Sequence, residues 1–190
     1  MASHTTDTAE PPLGLEHALL GLVRHQPMHA YEMHQQLLHA EALGLVWHLK
    51  QGHLYALLAR LEAAGYLAGT TEPQGTRPPR KILHLTPTGE TAFARWLQRP
   101  VAHGRDFRLE FLAKLYFAAG EGPSAVRRLI ATQRTACRAW LDDVRAQAQA
   151  ISPDRPYDRL VLRFRIGQIE AILPWLDECE EALSQPDPRG

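Results

Sequence analysis

Two groups of side chains in this sequence carry the charge and the hydrogen-bond donors that suit contact with nucleic acid. The first group combines a cation, an amide, an imidazole and a phenol: Lys50, Gln51, His53 and Tyr55. The second holds three cations with no acidic residue between them: Arg77, Arg80 and Lys81. Cationic side chains pair with phosphates, whereas amides and imidazoles can hydrogen-bond to base edges. The two groups therefore indicate a surface that could contact DNA; the alternative is ordinary solvated surface, which is what a cluster of three basic residues in a loop usually is.

The chain as a whole is electrically neutral, with 21 Lys and Arg against 21 Asp and Glu among its 190 residues. That balance excludes a strongly basic nucleic-acid coat and a strongly acidic chain. A local basic surface is still allowed, since residues 50–86 contain five basic and two acidic side chains. The apolar fraction of 45% is typical of a folded globular protein.

Apolar spacing in the first half predicts three helices, over residues 13–25, residues 29–42 and a segment that follows Gly52 and stops at Gly65. In the second of these we expect four side chains to face inward: Tyr31, Met33, Leu37 and Leu38. Two short strands, residues 66–71 and 81–86, follow on either side of a loop at residues 72–80. A fourth helix begins at Pro87, with Thr86 as its N-cap.

Three helices followed by a hairpin is the order of a winged helix. The third helix would then enter the major groove with its N-terminal residues against base edges, and the hairpin would lie beside it as the wing. Tyr55 allows two interpretations: a phenol that reaches a phosphate, or a tyrosine of the core.

The chain resembles the PadR family of winged-helix transcriptional regulators. Four segments carry the resemblance: Leu19-Leu20-Gly21-Leu22; Pro27-Met28-His29-Ala30-Tyr31-Glu32; residues 52–67, with Gly52-His53-Leu54-Tyr55 and Leu58-Ala59-Arg60-Leu61-Glu62; and Arg77-Pro78-Pro79-Arg80-Lys81 leading to Leu85-Thr86-Pro87-Thr88-Gly89. Ala30 stands where the family usually has Gly, and Gln51 where it often has Pro. The resemblance implies DNA contacts by Lys50, Gln51, His53, Tyr55, Arg77, Arg80 and Lys81, and a homodimer formed by the helical C-terminal region.

The second half has the pattern of long helices. Residues 107–118 are apolar on more than one face, and a long helix from Pro123 has a heptad-like seam: Val126, Ile130, Gln133, Cys137, Trp140, Val144, Gln147 and Ile151. A second long helix from Pro156 repeats the pattern with Tyr157, Val161, Phe164, Gln168, Ala171, Trp175 and Cys179. We expect an antiparallel hairpin whose apolar surface is shared with a second copy. The expected dimer interface comprises Phe107, Phe111, Trp140, Val144, Phe164 and Trp175.

These patterns predict a mainly α protein. A winged helix-turn-helix domain of three helices and a two-stranded wing (residues 13–100) precedes a coiled-coil-like helical hairpin (residues 104–184). Residues 1–12 are expected to be a disordered lead and residues 185–190 a flexible tail. No secretory signal or membrane-spanning run is visible, so a cytoplasmic protein is expected. Cys137 and Cys179 are expected to be buried thiols and not a disulfide, because the hairpin offsets them by roughly 15 Å.

The resemblance implies a homodimeric repressor that binds an inverted-repeat operator and is released by a small molecule. A candidate site for an aromatic effector is Phe93 with Trp96; the favoured alternative is that both residues belong to the core between the two domains. The alternatives are a winged-helix module that binds protein, and a metal-responsive regulator. Metal ligation has weak support, because Pro27 separates His25 from His29 and no cysteine or carboxylate cluster completes a site. No phosphate loop or nucleophile motif indicates an enzyme, and no cofactor is expected.

Overall fold

The computed structural model describes residues 14–39, 42–74 and 77–184. The predicted disordered lead and flexible tail lie outside the described residues. The chain divides into two compact units, the first ending at Trp96 and the second beginning at Leu97. The predicted domains end at residue 100 and begin at residue 104, so the predicted boundary falls just after this point. Among the described helices, none is both long enough and apolar enough to cross a membrane.

Three helices form the core of the first unit: α1 (Gly14–His25), α2 (Ala30–Leu38) and α3 (Gln51–Ala63). A short 3₁₀ helix, Ala42–Leu45, lies between α2 and α3. The side chains at the centre of the unit are almost fully buried: Leu19, Leu20, Val23, Met33, Leu54, Leu61 and Phe93. The predicted three-helix order is confirmed, with α2 ending four residues earlier than expected.

The inward face of α2 is narrower than the sequence suggested. Met33 and Leu37 are buried as predicted, whereas Tyr31 is 59% exposed and Leu38 is 55% exposed, so the prediction for these two was wrong. At about 100° per residue, Tyr31 and Leu38 both lie roughly 140–160° around the helix from Met33. They therefore share the outward face.

The wing is longer than predicted. β2 (Leu67–Gln74) and β3 (Arg77–Leu85) pair antiparallel, so most of the predicted loop at residues 72–80 is strand. The register slips between Glu72 and Gln74, around Pro73. A third strand, β1 (Met28–His29), pairs with the other edge of β3 and makes the sheet three-stranded in the order β1-β3-β2.

Thr86 joins the sheet to the next helix, α4 (Pro87–Gln98). Its hydroxyl accepts a hydrogen bond from the Gly89 N–H at 3.0 Å, which confirms the predicted cap. The same hydroxyl lies 2.7 Å from the carbonyl oxygen of Gly65, to which it can donate. The Thr86 N–H donates to the carbonyl of Tyr66 at 3.1 Å. One residue thus ties the start of α4 to the end of α3.

The second unit is helical throughout its described elements: a 3₁₀ helix (Gly104–Arg108), α5 (Glu110–Glu121), α6 (Pro123–Ala150) and α7 (Pro156–Ser184). Arg134 of α6 pairs with Asp177 and Glu180 of α7, and Arg145 further along α6 pairs with Glu170. The residue numbers of the α7 partners fall as those of the α6 arginines rise, so the two helices run antiparallel, as predicted.

The predicted seam of α6 is largely the buried one: Val126, Ile130, Gln133, Cys137 and Val144 are buried, Trp140 and Ile151 are half-buried, and Gln147 is exposed. The predicted stripe of α7 is confirmed at its end, where Cys179 is buried and Trp175 is half-buried, but it was wrong in its phase before that. Its buried side chains are Leu162, Ile169, Leu176 and Cys179, whereas Tyr157, Val161, Phe164, Gln168 and Ala171 are exposed. α7 carries two apolar stripes at heptad spacing, and the phase of its packing on α6 is not set by spacing alone.

Two buried polar side chains hold the beginning of the second unit against its helices. Lys114, 1% exposed, pairs with Glu110 at 2.9 Å and donates to the backbone carbonyl of Arg99 at 2.8 Å. Desolvation lowers the pKa of the Lys114 ammonium, an effect that Glu110 opposes. Gln133 accepts from the Val101 N–H at 2.8 Å. One of the polar interruptions of the α6 seam is therefore used to bind backbone.

A methyl group at position 89 should break the junction between α3 and α4. A Cβ built on Gly89 would lie 2.2 Å from the carbonyl oxygen of Tyr66, far inside van der Waals contact. We expect Gly89→Ala to lower the free energy of unfolding by about 1–3 kcal/mol, measured by urea titration followed by circular dichroism. Gly52→Ala is the matched control, because no described atom lies within 4 Å of its Cβ. Equal stability of the two variants would show that Gly89 does not lie in close contact with the carbonyl of Tyr66.

Both cysteines should be unreactive in the folded protein. They are buried free thiols, as predicted; burial raises the pKa of Cys137 and raises that of Cys179 to about 11. Since the thiolate is the reacting form, titration with a dithionitrobenzoate reagent at pH 8 should be at least about tenfold slower in buffer than in urea. Fast modification of either thiol without denaturant would show that the α6–α7 packing opens readily.

Candidate nucleic-acid interface

α3 presents its N-terminal turn to solvent. Lys50 precedes the helix in an extended conformation, and the side chains of Lys50, Gln51 and His53 are exposed. The opposite face of α3 is anchored in the core by four leucines: Leu54, Leu57, Leu58 and Leu61. The predicted base-reading side chains therefore project from a helix that the core holds in place.

A cleft of about 580 Å³ opens between the start of α2, the outer face of α3 and β3. Tyr31, Tyr55, Glu62, Arg80 and Lys81 lie on its walls. Tyr55 is 44% exposed, which agrees with a phenol that is accessible from outside and not with a core tyrosine. The cleft thus brings two phenols and two cations together beside the recognition helix.

The cations of this region differ in how much of their charge is available. Lys81 pairs with Glu62 of α3 at 2.7 Å, and this pair passes over Gly69, where a Cβ would lie 2.1 Å from Lys81 Cε. Arg60 pairs with the buried carboxylate of Glu16 at 2.6 Å. These two ion pairs fix the orientation of α3 against α1 and β3. Lys81 thereby links the wing to α3.

Arg80 is exposed, with Glu72 opposite it in the strand register. Within the described part of the chain, no ion pair involves Arg80. The backbone of Arg77 pairs with Gln74 in the hairpin, but its side chain lies outside what the structure describes. Among the wing cations whose side chains are described, Arg80 is therefore the one that no ion pair engages.

Of the predicted DNA-contacting residues, Tyr55, Arg80 and Lys81 line the cleft, while Lys50, Gln51 and His53 lie on the preceding turn of α3. Tyr31 also lines the cleft, but it was predicted to face the core and was not among the candidate residues. The angle between Tyr31 and Met33 around the axis of α2 is large enough to have predicted that Tyr31 faces outward.

The candidate effector residues are buried in the first unit, Phe93 at 1% and Trp96 at 6% exposure. The Trp96 ring stacks on His17, with centroids 5.3 Å apart and planes 5° apart. Phe93 lies 5.6 Å from Trp96, and the guanidinium of Arg24 lies 5.4 Å from the Phe93 ring centre. A ligand that stacks on either ring has to displace one of these neighbours.

The residues expected at a dimer interface separate into three classes. Phe107, Phe111 and Val144 are buried within the second unit, where Phe111 and Phe107 pack at 5.9 and 6.3 Å from the Trp175 ring. Trp140 and Trp175 are half-buried. Phe164 is 65% exposed and is the member of this set available to a partner.

Three histidines are engaged in local hydrogen bonds: His29 Nδ1 with the Lys81 carbonyl at 2.9 Å, His34 Nε2 with the Leu49 carbonyl at 3.2 Å, and His84 Nε2 with Thr70 Oγ1 at 2.7 Å. Across residues 14–39, 42–74 and 77–184, no three His, Cys, Asp or Glu side chains are grouped so that they could hold a metal ion.

Comparison with known proteins agrees with this architecture. Residues 19–95 match the model of the transcriptional regulator PadR-like family, and residues 107–184 match the model described as virulence activator alpha C-term. A probable transcriptional regulator of Mycobacterium tuberculosis is 28% identical over 91% of this chain and 99% of that protein. The negative transcriptional regulator PadR of Bacillus subtilis is 27% identical over 86% of this chain and 93% of that protein.

Two solved structures of the Bacillus subtilis PadR protein are also similar. The complex with operator DNA is 26% identical, covers 90% of this chain and 99% of its own, and has a TM-score of 0.44. The complex with p-coumaric acid is 24% identical, with the same coverage of both chains and a TM-score of 0.41. The family models match both units of the chain, and the relatives found are transcriptional regulators and not enzymes. This chain belongs to the PadR-like family and is a DNA-binding transcriptional regulator.

Proposed function

We propose that this protein is a homodimeric repressor that binds an inverted-repeat operator and is released by a small-molecule effector. The observation that carries the proposal is the cleft of Tyr31, Tyr55 and Arg80 beside the exposed first turn of α3. In this proposal the phenols and the guanidinium of the cleft bind phosphate, and the first turn of α3 reads bases.

The proposed contacts divide by chemistry. Gln51 and His53, at the start of α3, reach base edges in the major groove, where an amide or an imidazole can discriminate between base pairs. Tyr31, Tyr55 and Arg80 bind phosphates of the adjacent backbone and fix the register of the helix in the groove. Lys50, Lys81 and Arg77 add positive charge around this surface.

The exposed stripe of α7 supports the dimer. Its four large apolar side chains are Tyr157, Leu160, Val161 and Phe164, which are 76%, 65%, 39% and 65% exposed. An apolar strip of this size on a helix that already packs on α6 is typical of a protein interface. A second copy of the chain would cover it. A two-fold dimer presents two recognition helices related by the same axis, so the operator would be an inverted repeat.

Repression follows from occupancy of the operator, which blocks access of the polymerase. The relative in Bacillus subtilis is named a negative regulator, which supports repression and not activation. For the effector we propose a small aromatic molecule, the chemical class of the p-coumaric acid in the Bacillus complex. Binding at Phe93 and Trp96 would require it to compete with His17 for the indole face.

Removing the available wing cation should weaken DNA binding and reduce its dependence on salt. We expect Arg80→Ala to lower affinity for DNA from upstream of the protein's own gene by about threefold to tenfold per half-site. The slope of log affinity against log salt should fall by about one unit for each phosphate that is no longer neutralised. Fluorescence anisotropy at several salt concentrations measures both quantities.

Arg95→Ala is the matched control for Arg80→Ala. Arg95 is an exposed arginine of α4 in the same unit, and none of the ion pairs found in the described residues includes it. Its removal should leave the affinity and the salt slope close to those of the unchanged protein. An equal decrease in affinity in the two variants would mean that general charge, and not the cleft, governs binding.

A charge on the exposed face of α7 should dissociate the dimer. Phe164→Asp places a carboxylate in the proposed interface, where it cannot keep its hydration without separating the two copies. Sedimentation analysis should show a folded monomer, and the affinity for the full operator should fall. Leu45→Asp is the control, since Leu45 is 70% exposed in the first unit. If Phe164→Asp remained a dimer, this face of α7 would not be the interface.

A further inference from the structure

Glu62 places a negative charge on a surface that is otherwise suited to phosphates. It lies near the end of α3, and its side chain, 23% exposed, is on the wall of the cleft that also holds Tyr55 and Arg80. The other acidic side chain on these walls, Glu32, accepts a hydrogen bond from the His29 N–H at 3.1 Å and so serves the start of α2. Glu62 has no such backbone partner among the described residues. Because like charges repel, its carboxylate opposes the binding of DNA.

The carboxylate of Glu62 holds the ammonium of Lys81 with both of its oxygens. Lys81 Nζ lies 2.7 Å from Oε1 and 2.8 Å from Oε2. The lysine side chain is 57% exposed, and an ion pair this open to solvent contributes little to the free energy of folding. The main effect of the pair is therefore on the charge that the wing presents, since the ammonium already has an anionic partner before DNA arrives.

Gly69 of β2 provides the space in which the two side chains meet. In the strand register Lys81 lies opposite Thr71, and Gly69 lies opposite Leu83, so these positions share one face of the hairpin. The lysine side chain crosses above Gly69 on its way to Glu62. A Cβ at position 69 would overlap Lys81 Cε and lie 2.9 Å from Glu62 Oε1. A side chain at this position would therefore separate the pair.

The backbone does not require a glycine at position 69. The described glycines with positive φ are Gly65 and Gly122, and Gly69 is not among them. The atom of Lys81 that a new Cβ would displace belongs to the flexible end of an exposed side chain, which can move into solvent. Gly69→Ala thus offers a variant in which both charges are kept and their contact is lost.

A lysine held in this way is less available to DNA. A phosphate that binds Lys81 has to displace Glu62, whose carboxylate then stays in the cleft without its cation. Affinity for DNA of any sequence depends on how many phosphates are neutralised, so a withheld lysine lowers it. Binding to a preferred sequence depends also on base contacts, for which α3 and the wing must keep a fixed relative orientation. The pair favours this second kind of binding, because it ties the wing to α3.

We propose that Glu62 is a specificity-determining residue, which holds Lys81 across Gly69 and so withholds one cation from DNA of any sequence while it keeps the wing aligned with the recognition helix. The inference rests on the proposed function for the placement of the cleft against phosphates, and it is independent of the dimer and of the effector. Discrimination between sequences is a difference of affinities, and Glu62 acts by lowering the affinity for the wrong ones.

The test uses the full chain and two fluorescent duplexes of equal length, one of random sequence and one enriched from random DNA by repeated selection on the unchanged protein. Gly69→Ala and Glu62→Gln should each raise affinity for the random duplex by about threefold to tenfold at about 50 mM salt. The slope of log affinity against log salt should steepen by about one unit, the contribution of one more phosphate. Affinity for the selected duplex should rise less or fall, so that the ratio of the two affinities decreases.

Two controls separate release of the lysine from other effects of the substitutions. Glu90→Gln removes a carboxylate that pairs with Arg24 at 2.7 Å in the same unit but outside the cleft, and it should leave the slope unchanged. In a Lys81→Ala background, Glu62→Gln should no longer steepen the slope, because the lysine that it would release is absent. Circular dichroism checks that each variant is folded, and the comparison of Glu62 with Lys81 stands if Gly69→Ala does not fold.

An unchanged slope in Glu62→Gln, or in folded Gly69→Ala, overturns the proposal. So does an equal steepening by Glu90→Gln, or a gain that persists without Lys81. An equal rise in affinity for both duplexes would show that the pair does not act on specificity, which also overturns it. None of these results affects the proposed function. Failure of the selection to enrich an inverted repeat would count against the proposed function instead, while the slopes on the random duplex would still test the role of Glu62.

Discussion

α4 begins so close to the end of α3 that no side chain fits between them. The hydroxyl of Thr86 bridges the two helices. Gly89 lies so close to the carbonyl of Tyr66 that there is no space for a Cβ atom at this position. Because β2 and β3 connect these two points, the junction also determines where the hairpin leaves α3. The position of the wing beside the recognition helix therefore depends on one hydroxyl and one missing methyl group.

Ion pairing reduces the positive charge that the surface of α3 and β3 presents. Glu62 neutralises Lys81, and Glu16 neutralises Arg60, so that part of the local positive charge is used to orient α3. Among the described side chains of this surface, Lys50 and Arg80 are the cations that no ion pair engages. A surface with few free cations gives modest affinity for DNA in general, because non-specific binding depends on the number of phosphates neutralised. For the dimer proposed above, occupancy of an operator would then depend on base contacts and on two half-sites being bound together.

The sequence predicted correctly those features that depend on residues close together in the chain. The cap at Thr86, the helix starting at Pro123 and the seam of α6 each depend on residues close together in the chain, and each was predicted. The two-residue strand Met28–His29 was missed, because it exists only through its pairing with Leu83 and Ile82. The outward position of Tyr31 and the phase of α7 depend on which of two apolar faces meets a neighbour. The pairing of Lys81 with Glu62 likewise requires the fold, since 19 positions separate them.

The two apolar stripes of α7 have a consequence for how such a protein can change over time. Leu162, Ile169 and Leu176 face the chain's own core, while Tyr157, Leu160 and Phe164 face away from it. Substitutions on the first stripe are constrained by folding, whereas those on the second act on the outward surface alone. With the second stripe as the dimer interface proposed above, copies that arise by gene duplication could diverge in their choice of partner while the fold is kept. A single helix with two separate faces would then allow related regulators to coexist in one cell without forming mixed assemblies.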